Sequence, residues 1–264
     1  MMKTLMLIGY GAMAQEVITR LPDEITLRYI IARPHHHQAI LERFKGAVTP
    51  IDSLDNNIVP PDLVLECAGH QAVKQYAPTV LERGWTLAII STGALADTDF
   101  EQHLVALTQR HHSQLIPLTG AVAGLDGLRA AKEANITQVT YQSRKSPASW
   151  RNGAAERYVD LSQVTQPTVF FSGSAREAAL NFPANANVAA TVALYGIGMD
   201  ATQVQLVVDP NTTHNSHRID VTGDFGHFYI ELNGNPLPSN PKTSMLAALS
   251  AVEICRRVAG QQAI

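Results

Sequence analysis

Up to about Thr119 the chain alternates short, unbroken apolar runs with amphipathic stretches. The runs Thr4–Ile8, Leu27–Ala32, Leu63–Cys67, Thr86–Ser91 and Leu115–Leu118 have the length of strands and lack the polar alternation of a half-solvated one. Between them, His70–Glu82 and Asp97–His111 carry apolar residues at helical spacing. Continuous apolar strands separated by helices predict a parallel sheet covered on both faces. The first strand passes into the first helix through Gly9, Gly11 and Ala14, spaced G-x-G-x-x-A. A glycine-rich first turn in such a series predicts an α/β fold with an N-terminal Rossmann-type, doubly wound parallel sheet.

Past Thr119 the pattern changes. GAVAGLDGLRAAKEAN reads as a helix, ITQVTYQSRKSP as a strand, Ala154–Leu161 as a helix and TVFFSGS as a short strand. Val188–Met199 reads as a long alanine-rich helix, and Gln203–Asp209, His217–Thr222 and Phe228–Leu232 as strands of an antiparallel sheet. The closing SNPKTSMLAALSAVEICRRVAG reads as a helix, with Ser239, Asn240, Pro241 and Thr243 as start signals. Residues 1–119 are therefore expected to form a dinucleotide-binding domain, and 120–240 a second, catalytic and dimerising α+β domain with a mostly antiparallel sheet. The helix at 241–264 is expected to pack back on the first domain.

Composition narrows the function classes. With 264 residues, 45% hydrophobic and 16% charged, the chain has ample core. A net charge of -3 carries no excess that would draw nucleic acid or an anionic membrane. No apolar run approaches the roughly 18 residues of a membrane span. Cys67 and Cys255 are far apart and in apolar surroundings, which gives no disulfide framework and no zinc spacing. The expectations are a cytoplasmic protein, no metal, and no nucleic-acid or membrane partner.

In the opening turn, Gly9 allows the tight bend and Gly11 lets the backbone approach a pyrophosphate, while Ala14 lets the helix pack close. Ala12 and Met13 open the helix whose N-terminus would face the phosphates. The second strand ends in Ala32 and Arg33, where an acid would bind a ribose 2′-hydroxyl. An arginine there can pair with a 2′-phosphate or lie solvated in the loop, so NAD and NADP both stay open. Ala68 and Gly69, after the Leu63–Cys67 run, are small enough to admit a ribose and nicotinamide, or they simply end a strand. For proton transfer the dense polar stretch Val207–Gly226 offers His214 and His217. Asn185 and Asn187 precede the alanine-rich helix as caps or as amides for a ligand, and Lys242, Thr243 and Ser244 stand at an expected helix N-terminus.

Taken together, GYGAMA, GAVAGLDGL, FPANANVAAT, DPNTTHNSHRI and NPKTS resemble the L-aspartate dehydrogenases, in order and over essentially the full length. The resemblance implies a Rossmann domain joined to a smaller α+β domain that forms a homodimer. It implies conversion of L-aspartate, with NAD or NADP, to iminoaspartate, which hydrolyses to oxaloacetate and ammonia and can feed NAD biosynthesis. Position by position, the family's catalytic histidine falls on His217, and two cofactor contacts fall on Ala121 and Asn187. The substrate's two carboxylates need cationic partners, for which Arg144, Lys145 and Lys242 are candidates, along with the expected helix N-terminus near Thr243. A homoserine dehydrogenase-like or dihydrodipicolinate reductase-like enzyme, or an NADP-sensing protein, is the competing expectation.

Overall fold

In the computed structural model, residues 2–55, 57–183 and 187–260 are described, with the backbone alone of residues 241 and 242. Two compact units emerge. The first comprises the chain up to Ala94, Thr98–Leu118, and the chain from Ala248 on; the second comprises Leu95–Asp97 and Thr119–Ala247.

The first unit runs β1 (Lys3–Ile8), α1 (Ala12–Thr19), β2 (Ile25–Ile31), α2 (His37–Arg43), β3 (Thr49–Ile51), β4 (Leu63–Glu66), α3 (His70–Glu82), β5 (Thr86–Ile89), α4 (Thr98–His111) and β6 (Gln114–Pro117). Its six strands are all parallel, in the order β3-β2-β1-β4-β5-β6. That order reverses beside β1, which places a crevice at the carboxyl ends of β1 and β4, where open α/β sheets bind ligands. Leu5, Leu7, Ile30, Leu63 and Leu65 form the core with Ala14 and Val17 of α1. The short β3 carries Pro50 at the sheet edge, where a missing N–H costs no ladder bond, and so shows little strand pattern in sequence.

The second unit runs α5 (Leu125–Ala131), β7 (Ile136–Lys145), α6 (Pro147–Trp150), β8 (Thr168–Ser174), α7 (Ala175–Asn181), α8 (Asn187–Tyr195), β9 (Gln203–Val208), β10 (Asn215–Gly223), β11 (Gly226–Gly234), β12 (Pro236–Leu237) and β13 (Asn240–Ser244). The chain ends in α9 (Met245–Val258), which adds Ala251, Val252, Ile254 and Cys255 to the core of the first unit. The main sheet has the order β11-β10-β7-β9-β8, antiparallel except for β7 against β9. α7 begins with a capping box in which Ser174 and Glu177 satisfy each other's backbone amides. Alanines of α7 and α8 let these helices approach each other closely, and α7 also packs on β8 and β9.

Several expected helices are shorter than their sequence pattern. The stretch after Thr119 stays a turn until Leu125, because Gly120 and Gly124 take left-handed φ of 63° and 71°. α8 stops at Tyr195, just before Gly196 and Gly198. Ala154–Leu161 yields only a single tight turn at Ala154–Arg157. The closing helix begins at Met245, not at 241, because 240–244 form β13, whose two ends, Asn240 and Ser244, pair with β12. No described helix is long and apolar enough to cross a membrane.

Candidate functional site

In the first unit the carboxyl ends of β1, β2 and β4 border a cavity of about 580 Å³ lined by Gly9, Gly11, Arg33 and Ala68. Gly9 has a φ of 108°, and a Cβ there would stand 3.0 Å from both Ala68 Cβ and Cys67 O. Only glycine lets the backbone turn this close to the segment after β4. Gly11, the residue before α1, has nothing within 4 Å of where its Cβ would be, and no side chain caps the helix. The first amides of α1, at the positive end of its dipole, are left to a ligand's oxygens. A close-approach glycine followed by an open one at a helix start fits a dinucleotide pyrophosphate. Ala14 is buried against the sheet, Ala12 and Met13 form the first turn of α1, and Gly69 leads into α3 with φ of 126°.

Two residues in this region escaped the sequence reading. Asp52, just past β3, lines the same cavity as Arg33, because β3 is the edge strand next to β2. Glu66 ends β4 and is 1% exposed. Its carboxylate accepts hydrogen bonds from the amides of Ala68 (2.7 Å) and Gly69 (2.6 Å). It also accepts from the Ser91 amide (3.0 Å) and hydroxyl (2.9 Å). A buried carboxylate without such donors would be prohibitively desolvated; here four donors satisfy it and tie together the turns after β4 and β5. The visible signal is an acid ending an otherwise apolar strand, LVLE.

In the second unit, β7 and β10 are antiparallel and His217 stands directly opposite Ser143. Strand side chains alternate faces, so Tyr141, Ser143 and Lys145 share the face of His217, while Gln142 and Arg144 take the other. His217 is 5% exposed, and Tyr141 and Ser143 are fully buried. Tyr141 Oη lies 2.7 Å from His217 Nδ1, with the two rings inclined by 12°. Burial, and secondly the charge of Lys145, push His217 down to a pKa of about 3, so the imidazole is neutral near pH 7. Burial also lowers Lys145 to about 8, with its ammonium 4.9 Å from the centre of the Trp150 ring. Tyr141 is raised well above its ordinary value by burial and stays a phenol. His214, the other candidate, is exposed in the turn before β10.

Three of the expected substrate residues are placed otherwise than the sequence suggests. Arg144 points away from His217 and pairs with Asp209 at 3.3 Å, a correction that follows from strand alternation. Lys242 and Thr243 stand on β13, not at a helix N-terminus; Thr243 Oγ1 accepts from Asn240 Nδ2 at 3.0 Å, and the Lys242 side chain lies outside the described residues. Ala121 is buried in the turn before α5, and Asn187 is the first residue of α8; Asn185 lies outside the described residues. Among the described residues no three His, Cys, Asp or Glu side chains gather to hold a metal.

Residues 126–258 match the family model described as aspartate dehydrogenase, C-terminal, and residues 9–117 match the NAD-binding domain of homoserine dehydrogenase. The chain belongs to the aspartate dehydrogenase family. It is 58% identical over 257 residues to an L-aspartate dehydrogenase of Serratia proteamaculans, covering 97% of each chain. It is 49% identical over 255 residues to one from Acinetobacter baumannii, again covering 97% of each. The crystal structure of aspartate dehydrogenase from Thermotoga maritima superposes with a TM-score of 0.79 at 25% identity, covering 100% of both chains. The cofactor class is accordingly NAD(P), in keeping with the glycine cradle.

Two predictions follow from these groups. Glu66→Gln leaves a donor amide facing donor N–H groups, so the variant should lose about 2–4 kcal/mol of stability and bind cofactor more weakly. Thermal melts with and without cofactor measure both. For His217, the native group stays unprotonated down to about 3 while the unfolded one protonates below 6.5. The wild type should therefore lose about 1.4 kcal/mol per pH unit from this residue as pH falls through that window. Denaturant titrations should show the slope flattened in His217→Gln by that amount.

Proposed function

We propose that the protein catalyses the reversible, NAD(P)-dependent oxidative deamination of L-aspartate to iminoaspartate, which hydrolyses to oxaloacetate and ammonia. The observation that carries this reading is the buried, neutral His217 bonded to Tyr141 within the segment that matches the aspartate dehydrogenase C-terminal model. NAD(P), when bound, supplies the acceptor for the hydride that leaves the substrate's α-carbon. Gly9, Gly11 and the first turn of α1 would hold the pyrophosphate, Arg33 and Asp52 would take the adenosine ribose, and Ala68 and Gly69 would leave room for the second ribose. Ala121 and Asn187 are the family's positions for further cofactor contacts.

His217 works as general base, taking a proton from the substrate amine or from the water that attacks the imine carbon. Its neutrality at pH 7 is what the role requires, since an imidazolium has no lone pair to offer. Lys145, on the same face and mostly protonated at pH 7, holds one substrate carboxylate by a charge-assisted bond. The product iminoaspartate can feed NAD biosynthesis, and we place the enzyme in the cytoplasm.

We also propose a homodimer formed through the second unit. Its support is the sheet face opposite His217, where Arg218 bonds Asp220 twice at 2.8 Å and lies 4.4 Å from the centre of the Tyr229 ring. Tyr229 is 57% exposed on that face, and a partner surface would cover its ring.

The deciding experiment is initial rates with L-aspartate at alkaline pH, with NAD and NADP in parallel and homoserine as the competing substrate. Turnover of aspartate is expected, falling roughly a hundredfold or more in His217→Ala with little change in cofactor affinity. In Arg33→Ala the NADP rate should fall relative to the NAD rate. Turnover of homoserine alone, or an unchanged rate in His217→Ala, overturns the reading. Sedimentation velocity should return twice the mass of one chain, and a monomer at micromolar concentration removes the dimer.

A further inference from the structure

The function just proposed leaves two features of the His217 face unexplained. Tyr141 holds Nδ1 of the imidazole at 2.7 Å, and Ser143 Oγ is buried beside the Tyr141 hydroxyl with no well-aligned hydrogen-bond partner among the described residues. Ser143 stands directly across from His217, and Tyr141 precedes it by two on the same face, diagonal to the histidine. A neutral imidazole carries one proton, and the nitrogen without it is the base. If the phenol donates to Nδ1, the ring's proton sits on Nε2 and the only lone pair is already spent on Tyr141. If Nδ1–H donates to the phenol oxygen, Nε2 keeps its lone pair, but the phenol's own hydrogen then needs an acceptor. Ser143 Oγ is a buried oxygen on the same face with acceptor capacity to spare.

We propose that Tyr141 is the positioning residue of His217: it accepts from Nδ1–H, passes its own hydrogen to Ser143 Oγ, and so leaves Nε2 as the nitrogen free for proton transfer. The arrangement serves both states of the histidine, because an imidazolium still donates through Nδ1 to the same oxygen. Burial of Tyr141 keeps it a phenol with a hydrogen to hand on. The proposal rests on His217 as the acid/base of the proposed reaction, but the tautomer is readable without turnover.

The test uses the full-length protein labelled with nitrogen-15 in its histidines, with two-bond nitrogen–proton correlations recorded at pH 7. The chain has ten histidines, so the His217→Gln spectrum assigns the signal. The expected wild-type ring is protonated at Nδ1, with Nε2 showing the shift of an unprotonated nitrogen. Tyr141→Phe, which keeps the ring and its packing, should move the proton to Nε2. It should lower kcat roughly tenfold or more, with the KM for cofactor unchanged. Ser143→Ala should move the tautomer in the same direction, in part. A wild-type ring protonated at Nε2, or the same tautomer in Tyr141→Phe as in the wild type, overturns the proposal. If aspartate is not turned over while the tautomers behave as stated, the substrate reading fails and the positioning role stands.

Discussion

Neighbouring residues of a β-strand cannot share a face, and in β7 that rule separates two kinds of chemistry. Tyr141, Ser143 and Lys145 lie with His217; Gln142 and Arg144 lie with Arg218 on the other side. The first set is largely buried and holds its proton balance through desolvation, while the second is an ion-paired surface. The division holds only while the register holds. A slip of one residue between β7 and β10 would send Arg144 inward and Ser143 outward. β7 resists such a slip because both its edges are paired, Ser143 opposite His217 on one side and Leu206 on the other.

What the sequence disclosed follows the same physics. A strand buried on both faces must be apolar throughout, so the parallel strands of the first unit stood out as unbroken runs, and the glycine turn was recognisable because its spacing is a backbone requirement. The Tyr141–His217 contact was not legible, since it joins residues 76 apart through strand pairing. TYQSRK nevertheless held a hint: a face meant for the core carried tyrosine, serine and lysine in alternation. NPKTS read as a helix start because asparagine, proline and threonine are common there, whereas the ladder with β12 decided otherwise. Asp52 was hidden by the brevity of β3, and Glu66 by its place inside an otherwise apolar run.

Glu66 and Gly9 act on the same few backbone atoms from opposite sides. The carboxylate draws in the amides of Ala68 and Gly69, and the missing Cβ of Gly9 lets Ala68 and Cys67 come near β1. Neither residue presents a functional group to a ligand in the usual sense. Together they set the shape of the cavity wall at the carboxyl ends of β1 and β4, where the buried carboxylate is held by neighbouring backbone amides and a serine.

The chain crosses from the first unit to the second and returns, since α9 completes a core begun by β1. That order has a consequence for synthesis. In chain order the first unit lacks Ala251, Val252, Ile254 and Cys255, part of its hydrophobic interior, until after the second unit has been made. The second unit is contiguous from Thr119 and can close while translation continues. Until α9 follows, the apolar side chains of the first unit's core lack part of their cover.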